Sequence, residues 1–288
     1  MKKTPILPLV LATLLLAPSC ARATLYRHIT AESPAVINSD GSLTEASVTY
    51  PAIYKPTPQA SWVQTPWLDS SLSYKGEQSV GMEIDAVSSY ASGDVDKVNH
   101  RISSGNDSFA LGFGNIKRYT GFALYLPSGE FEIPAAGRKL MLAQWWQGSP
   151  YGPPLRLEVT NATTSAVTFR FWVLNNDTLG NPSATPIDIG GGTIPFDAWT
   201  RFVVMLIPDY SGGGQIKVWV NGTQIITWAG KVGYDPTTKP YTGDTSSIAY
   251  PNQAFDVFYG PYRDRQNKTH VVLYDEIKFA STYSEAAP

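Results

Sequence analysis

The sequence predicts an all-β sandwich, and three observations carry that prediction. Short runs rich in β-branched and aromatic residues recur from Ser79 onward, separated by Gly, Pro, Asn and Asp. No apolar pattern of period 3.6 persists beyond about ten residues, so helices are expected to be few and short. Of the 288 residues, 43% are apolar and 12% aromatic, enough to fill a sizeable core without disulfides in a chain whose single cysteine is Cys20.

The chain opens with Met1-Lys-Lys, an apolar run from Ile6 to Ala17, and Ala21-Arg-Ala23. These are the charged, hydrophobic and cleavage regions of a secretory signal, and the run is too short to span a bilayer. The expected organisation is a signal peptide at 1–23 and a single domain at 24–288. Cleavage after Ala23 removes Cys20 and the positive charges of Lys2, Lys3 and Arg22, leaving a cysteine-free chain more acidic than the formal −2 of the full sequence. Secretion or a periplasmic location is expected. The rival is a lipid anchor at Cys20 in Ala17-Pro-Ser-Cys20, where Ala17 and Pro18 fit a lipobox poorly. No later segment is apolar enough to cross a membrane. Net negative charge with no long basic run argues against nucleic acid as a partner. A monomer is expected.

Strands are expected at 79–84, 120–126, 140–146, 155–159, 167–173, 200–207, 215–220, 223–228, 254–259 and 270–279. Within 217–226, Asn221-Gly222 supplies the two positive-φ residues of a type I′ hairpin turn. Long Pro-, Gly- and Ser-rich loops are expected at 50–59, 175–192 and 231–251, and such loops often line binding sites. The stretch 24–70 is the least regular.

The chemistry concentrates in Leu142-Ala-Gln-Trp-Trp-Gln147. On an extended strand Gln144 and Trp146 share one face, while Ala143 and Trp145 share the other. An amide beside an indole suits a sugar. The same pair also suits a buried glutamine bonded to a neighbouring strand beside a core tryptophan.

The order of several motifs then adds a resemblance. Tyr119-Thr-Gly-Phe-Ala-Leu-Tyr-Leu-Pro127, Leu142-Ala-Gln-Trp-Trp146, Pro153-Pro-Leu-Arg-Leu157, Asp197-Ala-Trp-Thr-Arg-Phe-Val203, Gly214-Gln-Ile-Lys-Val-Trp-Val-Asn-Gly222, Phe258-Tyr-Gly-Pro-Tyr-Arg263 and Tyr274-Asp-Glu-Ile277 together resemble polysaccharide lyases of the concanavalin A-like jelly-roll type, among them heparin lyase I, alginate lyases and glucuronan lyases. The resemblance implies a β-jelly roll with a concave cleft sheet and an anionic polysaccharide substrate. It also implies β-elimination, which needs a group to neutralise the C6 carboxylate, a base for the C5 proton and an acid for O4. No metal or organic cofactor is implied. Loops rich in Asp and carbonyls leave room for a structural calcium ion, but no ligand spacing specifies one.

By this resemblance Gln144 matches the neutralising glutamine of a Gln-x-His motif, with Trp146 where the histidine would stand. Tyr262 matches the catalytic tyrosine of a Tyr-Phe-Lys-x-Gly-x-Tyr pattern, with Phe258 in place of the lysine; Arg263 and Arg265 are then the nearby sources of positive charge. Arg101 in Asn99-His-Arg-Ile-Ser103 matches an arginine commonly written Arg-x-Glu, with Ser103 replacing the acid. Some glucuronan lyases draw a histidine from elsewhere, which gives His100 a candidate role. Strand alternation sets His100 and Arg101 on opposite faces unless a bulge intervenes. Val98 and Ile102 share the His100 face, favouring Arg101 for the cleft and a core position for His100.

The expected mechanism has Gln144, with Arg101 or Asn99, binding the carboxylate and Tyr262 protonating O4. The base is Tyr262 as phenolate or His100 as imidazole. An unperturbed tyrosine ionises near pH ~10 and would need neighbouring cations, Arg263 and Arg101, to act as base. Trp146 is the first choice for stacking on a sugar, with Trp145, Tyr151 and Tyr259 as further candidates, although such rings are usually core. Basic residues interspersed with acids, as in Arg263-Asp-Arg265, favour unsulfated uronates such as glucuronan or alginate over heparin. Two other activities stay open. One is a lectin-like jelly roll without catalysis. The other is a glycoside hydrolase begun by Glu83-Ile-Asp85, in which Ser88 stands where the last glutamate is needed.

Overall fold

The computed structural model describes residues 23–114, 116–175, 177, 186–239 and 249–288. The expected signal segment, with Cys20, lies outside the described residues except for Ala23.

The N-terminal part supplies β1 (Leu25–Ile29), a small sheet of β2 (Val36–Ile37), β3 (Leu43–Glu45) and β4 (Val48–Tyr50), then β5 (Ala52–Lys55) and β6 (Trp67–Asp69). There follow β7 (Ser79–Ile84), β8 (Val95–Ser103), β9 (Leu111–Gly112), β10 (Arg118–Tyr125), β11 (Leu140–Trp146), β12 (Leu155–Ala162) and β13 (Ala166–Val173). The chain continues through β14 (Ile187–Pro195), β15 (Thr200–Ile207), β16 (Asp209–Val220), β17 (Thr223–Val232), β18 (Ala254–Asp264) and β19 (His270–Ala280) to a single helical turn, α1 (Tyr283–Ala286).

Two eight-stranded sheets face each other. One runs β17-β16-β15-β10-β19-β7-β6, with β1 added on β19; the other runs β14-β13-β12-β11-β18-β8-β5, with β9 added on β18. Every named ladder is antiparallel, so the expected sandwich is the one observed. Between the sheets lie Phe122, Phe202, Tyr274 and Phe279 of one and Trp145, Phe169, Phe171 and Phe255 of the other, all essentially inaccessible to water. Burying rings of this size is the main favourable contribution to folding.

The Asn221-Gly222 hairpin forms as expected, with φ of 50° and 84° at the two turn residues. Three expectations need correction. The 50–59 loop contains β5, which forms the edge of the cleft sheet beside β8. The 175–192 loop gives way at Ile187 to β14, whose glycines let it lie close to β13: a Cβ on Gly191 would sit 1.9 Å from the Phe169 carbonyl oxygen. β18 does not stop at residue 259 but runs through Gly260 and Pro261 to Asp264.

That last extension depends on a bulge. Met141 pairs with Tyr262 and Ala143 with Tyr259, so the ladder slips where Gly260 and Pro261 face Leu142. Proline has no N–H for the ladder, and a bulge is where a sheet interior tolerates it. The Leu142 carbonyl, displaced from both neighbouring ladders, accepts a 2.7 Å hydrogen bond from Tyr274 Oη of the opposite sheet.

Candidate active site

The outer face of the β11–β18–β8 strands carries a cleft of about 560 Å³. Strand alternation selects its lining: Gln144 and Trp146 face it, whereas Ala143 and Trp145 point into the core. The β11 bulge brings Met141 onto the same face as Gln144. From β18 come Asp256, Phe258 and Tyr262, from β8 Lys97 and Arg101, from β12 Arg156, and the 149–153 loop forms one wall.

Gln144 lies at the centre and donates through Nε2 to Asn99 Oδ1 at 3.1 Å. Asn99 is fully buried, and its own Nδ2 has no hydrogen-bond partner. The amide pair therefore keeps N–H groups to spare, and a buried donor without an acceptor is costly until a ligand oxygen fills the place.

Sequence reasoning missed Lys97. Its Nζ lies 4.8 Å from the ring centre of Phe258, 5.7 Å from that of Tyr262 and 5.9 Å from that of Trp146. Burial, reinforced by the neighbouring charge of Lys55, pulls this amine down to about 8, against a weaker upward pull from Asp256. A lysine amine thus stands over the Phe258 ring, reaching it from the adjacent strand β8 and not from position 258 itself. The signal was available: Lys97, Asn99 and Arg101 alternate along β8. Tyr262 beside it is raised above its ordinary value, chiefly by burial and then by the charge of Asp264. Arg101 reaches the cleft and stands 3.9 Å from Asp256, whose other oxygen accepts the Gly105 N–H at 2.7 Å. Arg156 pairs with Glu158 at 2.8 Å. Trp146 forms a wall, its indole N–H fixed to the Tyr151 carbonyl at 2.8 Å.

Several expected site residues lie elsewhere. His100 is fully buried on the core face, with Nε2 2.8 Å from the Gly41 carbonyl and Nδ1 3.2 Å from Tyr259 Oη. A carbonyl only accepts, so Nε2 carries the proton and Nδ1 takes the tyrosine hydroxyl's. Burial drives this imidazole down to about 4. It is a structural histidine with no route to a cleft substrate. Tyr259, its partner, is likewise core, and its hydroxyl is held neutral by burial. Arg263 points inward between the sheets, bound by Asp96 at 3.2 Å, the Ile84 carbonyl at 3.2 Å, His270 Nδ1 at 2.8 Å and the carbonyls of Asp85 and Lys268. Arg265 pairs with Asp94 and Asp96. Neither arginine supplies charge to the cleft. Trp145 is core and Tyr151 is a buried wall residue. Glu83 belongs to the opposite sheet, alternating with the core residues Met82 and Ile84, which separates the hydrolase-like pattern from the cleft. Among the described residues no group of three or more His, Cys, Asp or Glu side chains is arranged to hold a metal ion, and no helix is long and apolar enough to cross a membrane.

An antiparallel sandwich with an amide-centred, cationic and aromatic cleft on one sheet has the makings of a protein that acts on a polysaccharide. The chain belongs to the polysaccharide lyase family, whose sequence profile matches residues 67–278. No curated protein matches it significantly. Among solved structures it is similar to an endo-β-1,4-glucuronan lyase from the fungus Trichoderma reesei, with 15% identity over 82% of this chain and 97% of that one and a TM-score of 0.50. It is also similar to the cellulose-induced protein Cip1, with 14% identity, 81% and 91% coverage and a TM-score of 0.45. A third is the alginate lyase Aly36B in complex with an alginate tetrasaccharide, with 14% identity, 77% and 86% coverage and a TM-score of 0.44.

Proposed function

We propose that this lyase is exported and cleaves an unsulfated, uronate-containing polysaccharide by β-elimination. Lys97 acts as base, Tyr262 as acid, and Gln144 with Asn99 holds the C6 carboxylate. The observation that carries the proposal is the pairing of a buried amine brought down to about 8 with an adjacent phenol raised by the same burial. Above pH 8 the amine is largely free while the phenol keeps its proton, the combination an elimination needs.

Lys97 Nζ takes the C5 proton, the C4–C5 double bond forms, the C4–O4 bond breaks, and Tyr262 Oη protonates the departing O4. During the step negative charge grows on the carboxylate, where the spare N–H groups of Gln144 and Asn99 stabilise it. Arg101 and Arg156 lie in the same row of the cleft, each beside a carboxylate, Asp256 and Glu158, while Lys55 and Lys139 add positive field at the Lys97 end. Export is supported by the charged, apolar and small-residue pattern of 1–23.

The test is ultraviolet absorbance of the unsaturated uronate when the protein is mixed separately with glucuronan, alginate, hyaluronan and heparin. Turnover of an unsulfated polymer is expected, with Gln144→Ala and Tyr262→Phe each lowering kcat by about 10²–10³-fold while the fold is kept. Tight binding of these polymers with no unsaturated product would overturn the proposal in favour of a lectin-like role.

A further inference from the structure

We infer that the substrate is a mixed chain, in which the uronate that is cleaved is neighboured on one side by an uncharged sugar. The inference rests on the lyase reading above and specifies the polymer it acts on.

The cleft is graded along the strands. Lys55, Lys97 and Tyr262 lie side by side in register on β5, β8 and β18, and Lys139 lines the cleft immediately before β11, so positive charge gathers at this end. The next row holds Arg156, Gln144, Phe258 and Arg101. Beyond it Trp146 faces Asp256. From Tyr262 to Asp256 is a distance on the order of 20 Å along an extended strand, room for more than one sugar.

Past Asp256 the floor opens into a second pocket of about 420 Å³ that shares Arg101 and Asp256 with the cleft. Its other side chains are those of Ser104, Asn106, Asn252, Gln253 and Ala254. Among the described residues lining it the charged ones are Arg101 and Asp256, already 3.9 Å apart, and the charge of Asp107 also acts on Asp256, so a bound carboxylate would meet Asp256 without a further cation in the lining to offset it. A neutral sugar meets the opposite situation: its hydroxyls donate to the Asp256 carboxylate and exchange hydrogen bonds with the amides, and Trp146 offers a ring on the facing strand. An acidic side chain in the floor of a cleft for acidic polymers is explained if that position reads a sugar without a carboxylate.

The experiment compares kcat/KM on polyglucuronate with that on a chain alternating glucuronate and neutral hexose, and sequences the product ends by mass spectrometry. The alternating chain is expected to be preferred by about tenfold or more, with the neutral residue always on the same side of the cut. Asp256→Asn keeps an acceptor for the Gly105 N–H and is expected to narrow the preference about fivefold, by improving the homopolymer. Because the ratio is read, any effect of Asp256 on Lys97 cancels between substrates. Equal turnover of both polymers, unchanged in Asp256→Asn, overturns this inference and leaves the lyase reading standing. No unsaturated product from either overturns this inference, and none from alginate or hyaluronan as well overturns the lyase reading with it.

Discussion

Lys97 shows how a single residue acquires chemistry from its surroundings. In water its amine would hold a proton until pH ~10.4. Under Phe258, Trp146 and Tyr262 the charged form loses hydration that the ring faces only partly replace, and the value falls to about 8. The sign of the pH dependence follows. Below pH 8 Lys97 is protonated and cannot accept the C5 proton, so kcat/KM should climb through that value. Tyr262, raised by burial, should hold its proton over the same range. Lys97→Arg, permanently charged, should cost about 10²-fold or more and remove this limb of the profile. A pH–rate profile for Lys97→Arg that keeps the wild-type limb would assign the base elsewhere.

At the scale of elements, the site is made by irregularities in β11 and β18. Without the slip at Leu142, Met141 and Gln144 would point to opposite faces. Gly260 lies in the middle of this slip with φ of 120°, where a Cβ would stand 2.4 Å from the Val98 carbonyl oxygen and 2.9 Å from Asn99 Cα. The bare backbone lets β8 and β18 meet beneath the Gln144–Asn99 pair. Gly260→Ala is therefore expected to destabilise by about 3 kcal/mol, measured by chemical denaturation, because positive φ and backbone overlap add. Tyr274→Phe removes only the hydroxyl that holds the Leu142 carbonyl, and about 1–2 kcal/mol of stability should go with it. Since that bond fixes the bulge preceding Gln144, kcat should fall more than KM changes; a stability loss with untouched kinetics would show the bulge to be held by its ladders alone.

For the whole molecule, stability is tied to pH through two buried histidines. Burial holds His100 at about 4 and His270 at about 3, the latter also by the charge of Arg263, whereas both would titrate near ~6.5 in the unfolded chain. As pH falls below 6.5 the unfolded chain takes up protons that the folded one refuses, so their contribution is present above that pH and lost as pH drops toward 4. Glu83, raised to about 7, and Asp275, raised to about 6, both mainly by burial, act in the opposite sense. The diagnostic is consequently a difference. His100→Gln retains a donor for the Gly41 carbonyl and an acceptor for Tyr259, and between pH 7 and 5 its Tm should decline less steeply than that of the wild type. Parallel declines would remove His100 from the acid response.

The sequence by itself determined the periodic features. Runs of β-branched and aromatic residues between Gly, Pro and Asn made a sandwich, Asn221-Gly222 made a hairpin, and alternation placed Gln144 with Trp146 on one face and His100 with Val98 and Ile102 on the other, because period-two geometry is local. Gln144, Tyr262 and Arg101 were readable as one site through the order of motifs. What only the tertiary structure decided was which residues from separate strands meet. Lys97 lies 165 positions from Tyr262 in the chain yet pairs with it across β8 and β18, and Arg263, one residue beyond Tyr262, is turned by the same alternation into the core, where Asp96 holds it. β8 was absent from the runs of β-branched and aromatic residues and was read as extended only through the resemblance, because its cleft face carries Lys97, Asn99 and Arg101 rather than apolar residues. Burial of those polar side chains, which gives Lys97 its lowered pKa and leaves Asn99 a free donor, is a property of neighbours brought together by the fold.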